Sequence, residues 1–114
     1  MLDKREHIIM LKDFYGSLLT DKQQYVLELY FENDLSLSEI AENMGISKQA
    51  VHDLLKRSEN LLKDYEERLQ LVKRFLVTRK KIEEVCEILN EEISDNCPRV
   101  NEALDILRGI VDSL

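Results

Sequence analysis

LSLSEIAENMGISKQAVHDLLKR, residues 35–57, carries the signals that decide the fold. Ser36 followed three residues later by Glu39 is a capping box: each side chain answers the other residue's free backbone N–H, so a helix is expected from Leu37. Ile40, Ala41 and Met44 give that helix a short apolar stripe. Gly45 suits the left-handed residue that closes a helix, and Ser47 can cap the next one two residues later. Ala41, Gly45, Val51 and Leu54 then meet the steric demands of two helices crossing at an angle: a small residue at the crossing, a turn glycine, and apolar groups inside the angle. Helix, tight turn, helix is the expected arrangement.

If Val51, Leu54 and Leu55 face the core, the other side of the second helix presents Lys48, Gln49, His52, Asp53 and Lys56, with Arg57 at its edge. A recognition helix enters the major groove by its N-terminal part, here Ser47, Lys48 and Gln49. Gln pairs with adenine through two bonds, and Lys donates to guanine or phosphate. Lys56 and Arg57, farther along, suit phosphate. The candidate nucleic-acid-binding residues are therefore Ser47, Lys48, Gln49, His52, Lys56 and Arg57. Asp53 opposes phosphate on this face unless it accepts from cytosine or pairs with Lys56 or Arg57. An ordinary helical hairpin with a solvated face is the alternative.

Upstream, apolar residues from Ile8 to Leu19 follow helical spacing, with an end expected near Gly16 to Leu19. Thr20 is an N-cap, and Tyr25, Val26, Leu29 and Tyr30 are the expected apolar face of a second helix. Downstream of Lys48 no Gly or Pro occurs until Pro98. The stripe Val51, Leu54, Ser58, Leu61, Tyr65, Leu69, Val72 and Leu76 predicts a long fourth helix with a break near Thr78. Ile82, Val85, Cys86, Leu89 and Ile93 mark another helix, Ser94 to Pro98 a loop, and Val100, Ala103, Leu104, Leu107, Ile110, Val111 and Leu114 a last helix. The fold class is all-α: a three- or four-helix bundle with a long fourth helix and a C-terminal helical extension. A helix-turn-helix bundle is expected over residues 1–60 and a helical extension suited to dimerisation over 61–114, because the late helices need the long helix or a second chain to cover them.

Composition agrees: 44% apolar, 34% charged, and three Gly with one Pro in 114 residues. No apolar run approaches the roughly 18–20 residues that span a bilayer, and the first residues lack a signal-peptide layout, so the expectation is cytoplasmic, without membrane insertion. Cys86 and Cys97 stand far from His7 and His52 in sequence, so neither a metal site nor a cofactor is expected. No nucleophile and base form a credible constellation, so the expectation is not an enzyme. A net charge of −7 confines nucleic-acid contact to local basic clusters. Besides the Lys48–Arg57 face there is one more: Lys73, Arg74, Arg79, Lys80 and Lys81, five cations with no acid among residues 71–81. It suits a second phosphate backbone, for which a folded RNA is apt, or equally the neighbouring Glu66, Glu67, Glu83, Glu84 and Glu87.

Residues Leu19 to Arg57 are similar to region 4 of bacterial sigma factors, and the chain from 1 to about 110 resembles the YlxM family, in which a sigma-region-4-like domain precedes a helical tail. That resemblance implies a DNA- or RNA-binding protein associated with the signal recognition particle, with the particle's RNA as ligand, its GTPase as partner and a targeting or regulatory role. The acidic tail after Arg57 departs from region 4. Two further classes stay open: a homodimeric regulator at operator DNA, and a protein-interaction module that keeps the helix-turn-helix as a scaffold.

Overall fold

The computed structural model describes residues 2–92 and 97–113, and among them all regular structure is helical. Six α-helices run in order: α1 (Lys4–Tyr15), α2 (Asp21–Leu27), α3 (Leu37–Met44), α4 (Lys48–Leu69), α5 (Leu71–Glu92) and α6 (Pro98–Ser113). They form two compact units divided between Val72 and Lys73. Of the expected loop from Ser94 to Pro98, residues 94–96 lie outside the described residues, as do Ile93 and Leu114, and Pro98 already begins α6.

In the first unit, local chemistry sets the helix starts. Asp3 caps α1 by accepting from the Glu6 N–H at 2.8 Å. Thr20 and Gln23 form a reciprocal capping box on α2. Ser36 and Glu39 do the same on α3, with both bonds at 3.1 Å. The box also holds the Glu39 carboxyl below its ordinary range, through the backbone and then the hydroxyl of Ser36. Gly45 closes α3 at φ 69°, a conformation that costs glycine little.

These helices enclose one apolar core in which Ile8, Leu11, Tyr15, Val26, Leu27, Ile40, Val51 and Leu62 are essentially sealed from water. Two expectations need correction here. Tyr25 and Tyr30 are exposed, and Leu27 and Phe31 are buried instead. For Tyr30 and Phe31 the cause is a π-helical turn at Glu28–Glu32, where the Asn33 N–H reaches back to the Glu28 carbonyl and the wider turn rotates the side chains off the 3.6 period; Tyr25 lies before it, in α2, and its exposed hydroxyl donates to Asn43 Oδ1 at 2.9 Å.

The long helix also ends earlier than expected. α4 stops at Leu69, and Gln70 adopts the left-handed conformation at φ 54°, so the break lies there and not near Thr78. Its buried line is Val51, Leu55, Ser58, Glu59 and Leu62; Leu54, Leu61 and Tyr65 are half-buried, and Leu69 and Leu76 are exposed. Gln70 is neither Gly nor Asn, so sequence gives no local warning. The remedy is tertiary. Leu71 N–H, left free at the start of α5, donates to the Tyr15 hydroxyl at 3.0 Å, and Val72 N–H donates to Glu66 Oε1 at 3.1 Å.

The second unit comprises α6 and the part of α5 from Lys73 onward. Cys86 and Leu104 are its buried apolar residues among those described, with Ile82, Leu89, Val100, Leu107 and Val111 half-buried. Glu83, Cys86, Glu87 and Asn90 line one cleft with Arg108, Val111 and Asp112. Val85, Ala103 and Ile110, expected to face inward, are exposed.

Candidate nucleic-acid interface

The helix-turn-helix is α3, the turn at Gly45 to Ser47, and the first turns of α4. Ser47 starts α4 in extended backbone, and its hydroxyl accepts from the Ala50 N–H at 3.0 Å. The hydroxyl proton remains able to donate away from the helix. Val51 and Leu55 lock this end of α4 into the core with 0% and 6% exposure, which turns Lys48, Gln49, His52, Asp53, Lys56 and Arg57 to solvent.

Those six residues form two rows along the helix, because positions four apart stack on one face. One row is Lys48, His52 and Lys56. The other is Gln49, Asp53 and Arg57. In the second row the Gln49 amide donates to Asp53 Oδ1 at 3.0 Å, and His52 Nδ1 lies 3.6 Å from the same oxygen. Asp53 therefore accepts from Gln49, with the His52 ring beside it, in place of the Lys56 or Arg57 expected as its partners. The consequence is twofold: Lys56 and Arg57 keep their charge for a ligand, and Gln49 keeps its second amide hydrogen and its oxygen for a base.

A concavity flanks each row. On one side Lys4, Tyr30 and Leu37 join His52, Leu55, Lys56 and Glu59; on the other, Lys22, Met44 and Ile46 join Ala50, Asp53, Leu54 and Arg57. Lys4 and Lys22 are thus cations beside the recognition helix that sequence spacing did not find. Lys4 extends toward Glu59, whose nearly buried carboxylate lies 3.8 Å from its ammonium, a weak tether that leaves the ammonium largely in water. Lys22 is exposed. A signal for Lys22 existed in its position just inside the Thr20 cap. None existed for Lys4, which the packing of α1 brings to a helix more than forty residues away.

The other predicted cluster is on a separate element. Lys73, Arg74, Arg79, Lys80 and Lys81 are exposed on α5, and Arg79 Nε lies 3.2 Å from Glu83 Oε1. Cys86 is buried and Cys97 exposed, both as free thiols. Among the described residues no three His, Cys, Asp or Glu side chains converge to hold a metal, and no helix is long and apolar enough to cross a membrane.

A family model described as "Putative helix-turn-helix protein, YlxM / p13 like" matches residues 2–105. A UPF0122 protein of Desulforamulus reducens is 46% identical over 107 residues, covering 94% of this chain and 89% of its own length. UPF0122 proteins of Bacillus cereus and Bacillus anthracis are each 40% identical over 109 residues, covering 94% of this chain and 99% of theirs.

Proposed function

The chain belongs to the UPF0122 family of YlxM/p13-like helix-turn-helix proteins, and from that premise we propose that it binds nucleic acid through the exposed rows of α4. The observation that carries this reading is the pairing of Asp53 with Gln49 and His52. It ties one oxygen of Asp53 to a neighbour on its own helix, so that among the described residues Lys48, Lys56 and Arg57 form no ion pair and stand as cations on the exposed side of α4. Ser47, Lys48 and Gln49 contact base edges and the first phosphate. His52 follows, and Lys56 and Arg57 hold the backbone farther on, with Lys4 and Lys22 flanking.

The protein acts by binding and not by catalysis, in the cytoplasm, as a homodimer joined through the segment after residue 60. Its role is regulatory, within protein targeting: the ligand is the RNA of the signal recognition particle and the protein partner is its GTPase. The support for that finer role is the YlxM resemblance. Operator DNA is the alternative ligand of the same face.

The acidity of the chain favours a second reading, in which the helix-turn-helix is a scaffold and the acidic surface binds a basic protein. One experiment separates the two. Fluorescence anisotropy with duplex DNA and with a structured RNA is expected to register a loss of about tenfold to a hundredfold in affinity on combining Lys48→Ala, Gln49→Ala and Lys56→Ala. Unchanged binding of both probes rejects the groove-facing role of α4. Absence of any nucleic-acid binding by the unaltered protein, together with salt-sensitive binding of a basic protein, selects the scaffold.

A further inference from the structure

Helix α5 carries its charges in an order that works against the helix itself. Residues 73–81 hold five cations and no acid, while residues 83–92 hold five glutamates and no cation. A helix macrodipole favours acids in the first turn and bases in the last, and α5 has neither. Separated blocks of like charge also repel within themselves. Such an order needs a reason outside the single helix.

The face of α5 away from Ile82, Cys86 and Leu89 supplies one. Arg74, Val77, Lys81, Glu84, Ile88 and Glu91 follow one another at spacings of 3, 4, 3, 4 and 3, the repeat of a coiled-coil seam, and all six are exposed. Val77 and Ile88 are 45% and 59% exposed although they sit in the middle of that seam. Among the described residues Arg74, Lys81, Glu84 and Glu91 form no ion pair. The unit they belong to is near the lower size limit for an independent core and buries little of its own, so a covered face would stabilise it.

We propose that this face is covered by the same face of a second copy, with the two α5 helices antiparallel about a twofold axis passing between Ile82 and Glu83. In that register every layer of the seam is complementary. Arg74 meets Glu91 of the partner copy, Val77 meets its Ile88, and Lys81 meets its Glu84, and the twofold axis repeats all three. Lys80 and Glu87, beside the seam, are opposed in the same sense. The basic half of each α5 lies along the acidic half of the other, and the two dipoles oppose. A parallel pairing would set Arg74 on Arg74, Lys81 on Lys81 and Glu84 on Glu84, so the charges select direction and register as well as the occupant. Arg74, Lys80 and Lys81 of the basic cluster are thereby assigned to a protein partner, a second copy of this chain, while Arg79 stays with Glu83 of its own helix. This inference gives a geometry to the homodimer proposed above and does not depend on nucleic-acid binding.

The test measures mass by light scattering and proximity by disulfide capture, with no nucleic acid present. The unaltered protein is expected at twice the 13.4 kDa of one chain. Lys81→Glu and Glu84→Lys, each on an exposed position that leaves the helical circular dichroism intact, are expected to weaken self-association about tenfold or more by creating two repulsive layers per dimer. Combining them restores it, since the layer is then inverted and not broken. With Cys97→Ser as background, Val77→Cys and Ile88→Cys chains oxidised together form the 77-to-88 crosslink, and neither forms a crosslink with itself. A monomeric mass for the unaltered protein, failure of the combined reversal to rescue, or a 77-to-77 crosslink overturns the proposal. The nucleic-acid assay could fail while all of these results hold, and the reverse.

Discussion

Tyr15 does more than fill the core. Its hydroxyl donates to Glu66 Oε1 at 2.5 Å and accepts from the Leu71 N–H, while its ring stacks on Tyr65 with centroids 5.9 Å apart. Burial, and then the Glu66 carboxylate, raises the Tyr15 pKa above its ordinary 10.0, with the amides of Leu71 and Val72 opposing. A folded-state pKa above the unfolded one means that the native state favours the neutral phenol. This contribution to stability is fully present below pH 10.0 and is lost as pH rises through the higher folded value. Tyr15→Phe is expected to lower stability near neutral pH by about 1–2 kcal/mol and to flatten the alkaline part of the profile, as checked by urea unfolding at a series of pH values. None of this could be read from the sequence, because Tyr15 and Glu66 are 51 positions apart. What was legible at this scale is the exposed side of α4: once Val51 and Leu55 are inside, the 3.6-residue period turns Lys48, His52 and Lys56 outward. The link from Gln49 to Asp53 is also a four-residue spacing, and the appeal of Lys56 and Arg57 as charged partners obscured it.

Helix starts and helix stops differ in how local their causes are. The capping boxes at Thr20 and Ser36 satisfy free N–H groups with side chains three residues away, so a short window of sequence contains the whole interaction. Ser36→Ala is accordingly expected to cost about 1 kcal/mol in thermal unfolding, and Ser36→Asp much less. The end of α4 has no such window. Gln70 holds a left-handed backbone that disfavours a side chain, and a tertiary bond from the Leu71 N–H to Tyr15, with a bond from the Val72 N–H to Glu66 six residues back, keeps it there. Gln70→Gly removes the steric penalty and leaves those bonds, so it is expected to stabilise the protein by about 0.5–1 kcal/mol. A higher urea midpoint with an unchanged slope is the signature, and a lower midpoint would mean that the Gln70 side chain contributes something its backbone conformation does not reveal. The π-helical turn at Glu28–Glu32 was illegible for a related reason: a one-residue rotation of the buried face satisfies Phe31 at the expense of Tyr30, and both are aromatic.

A whole molecule of charge −7 per chain repels nucleic acid at a distance and binds it, on the reading proposed here, only where α4 concentrates Lys48, Lys56 and Arg57. Salt distinguishes the local from the total. Each phosphate neutralised by a cation releases condensed counterions, so the logarithm of affinity falls with the logarithm of salt in proportion to the phosphates engaged. Three cations on one α4 face correspond to a slope of about −3 on duplex DNA, and two copies engaged together to about −5. If α5 pairs with α5 as inferred, Arg74, Lys80 and Lys81 face the partner's glutamates, Arg79 faces Glu83 of its own helix, and these cations add little to either figure. Lys81→Glu then separates the two levels, because it weakens the dimer while leaving α4 untouched. Its salt slope is expected to fall to about half that of the unaltered protein, measured by anisotropy titration over a range of potassium chloride concentrations at a protein concentration where the unaltered chain is dimeric. An unchanged slope would mean that copies engage nucleic acid one at a time. A slope that falls by one unit, in both the dimer and a variant that is monomeric for another reason, would move Lys81 itself onto the phosphate backbone.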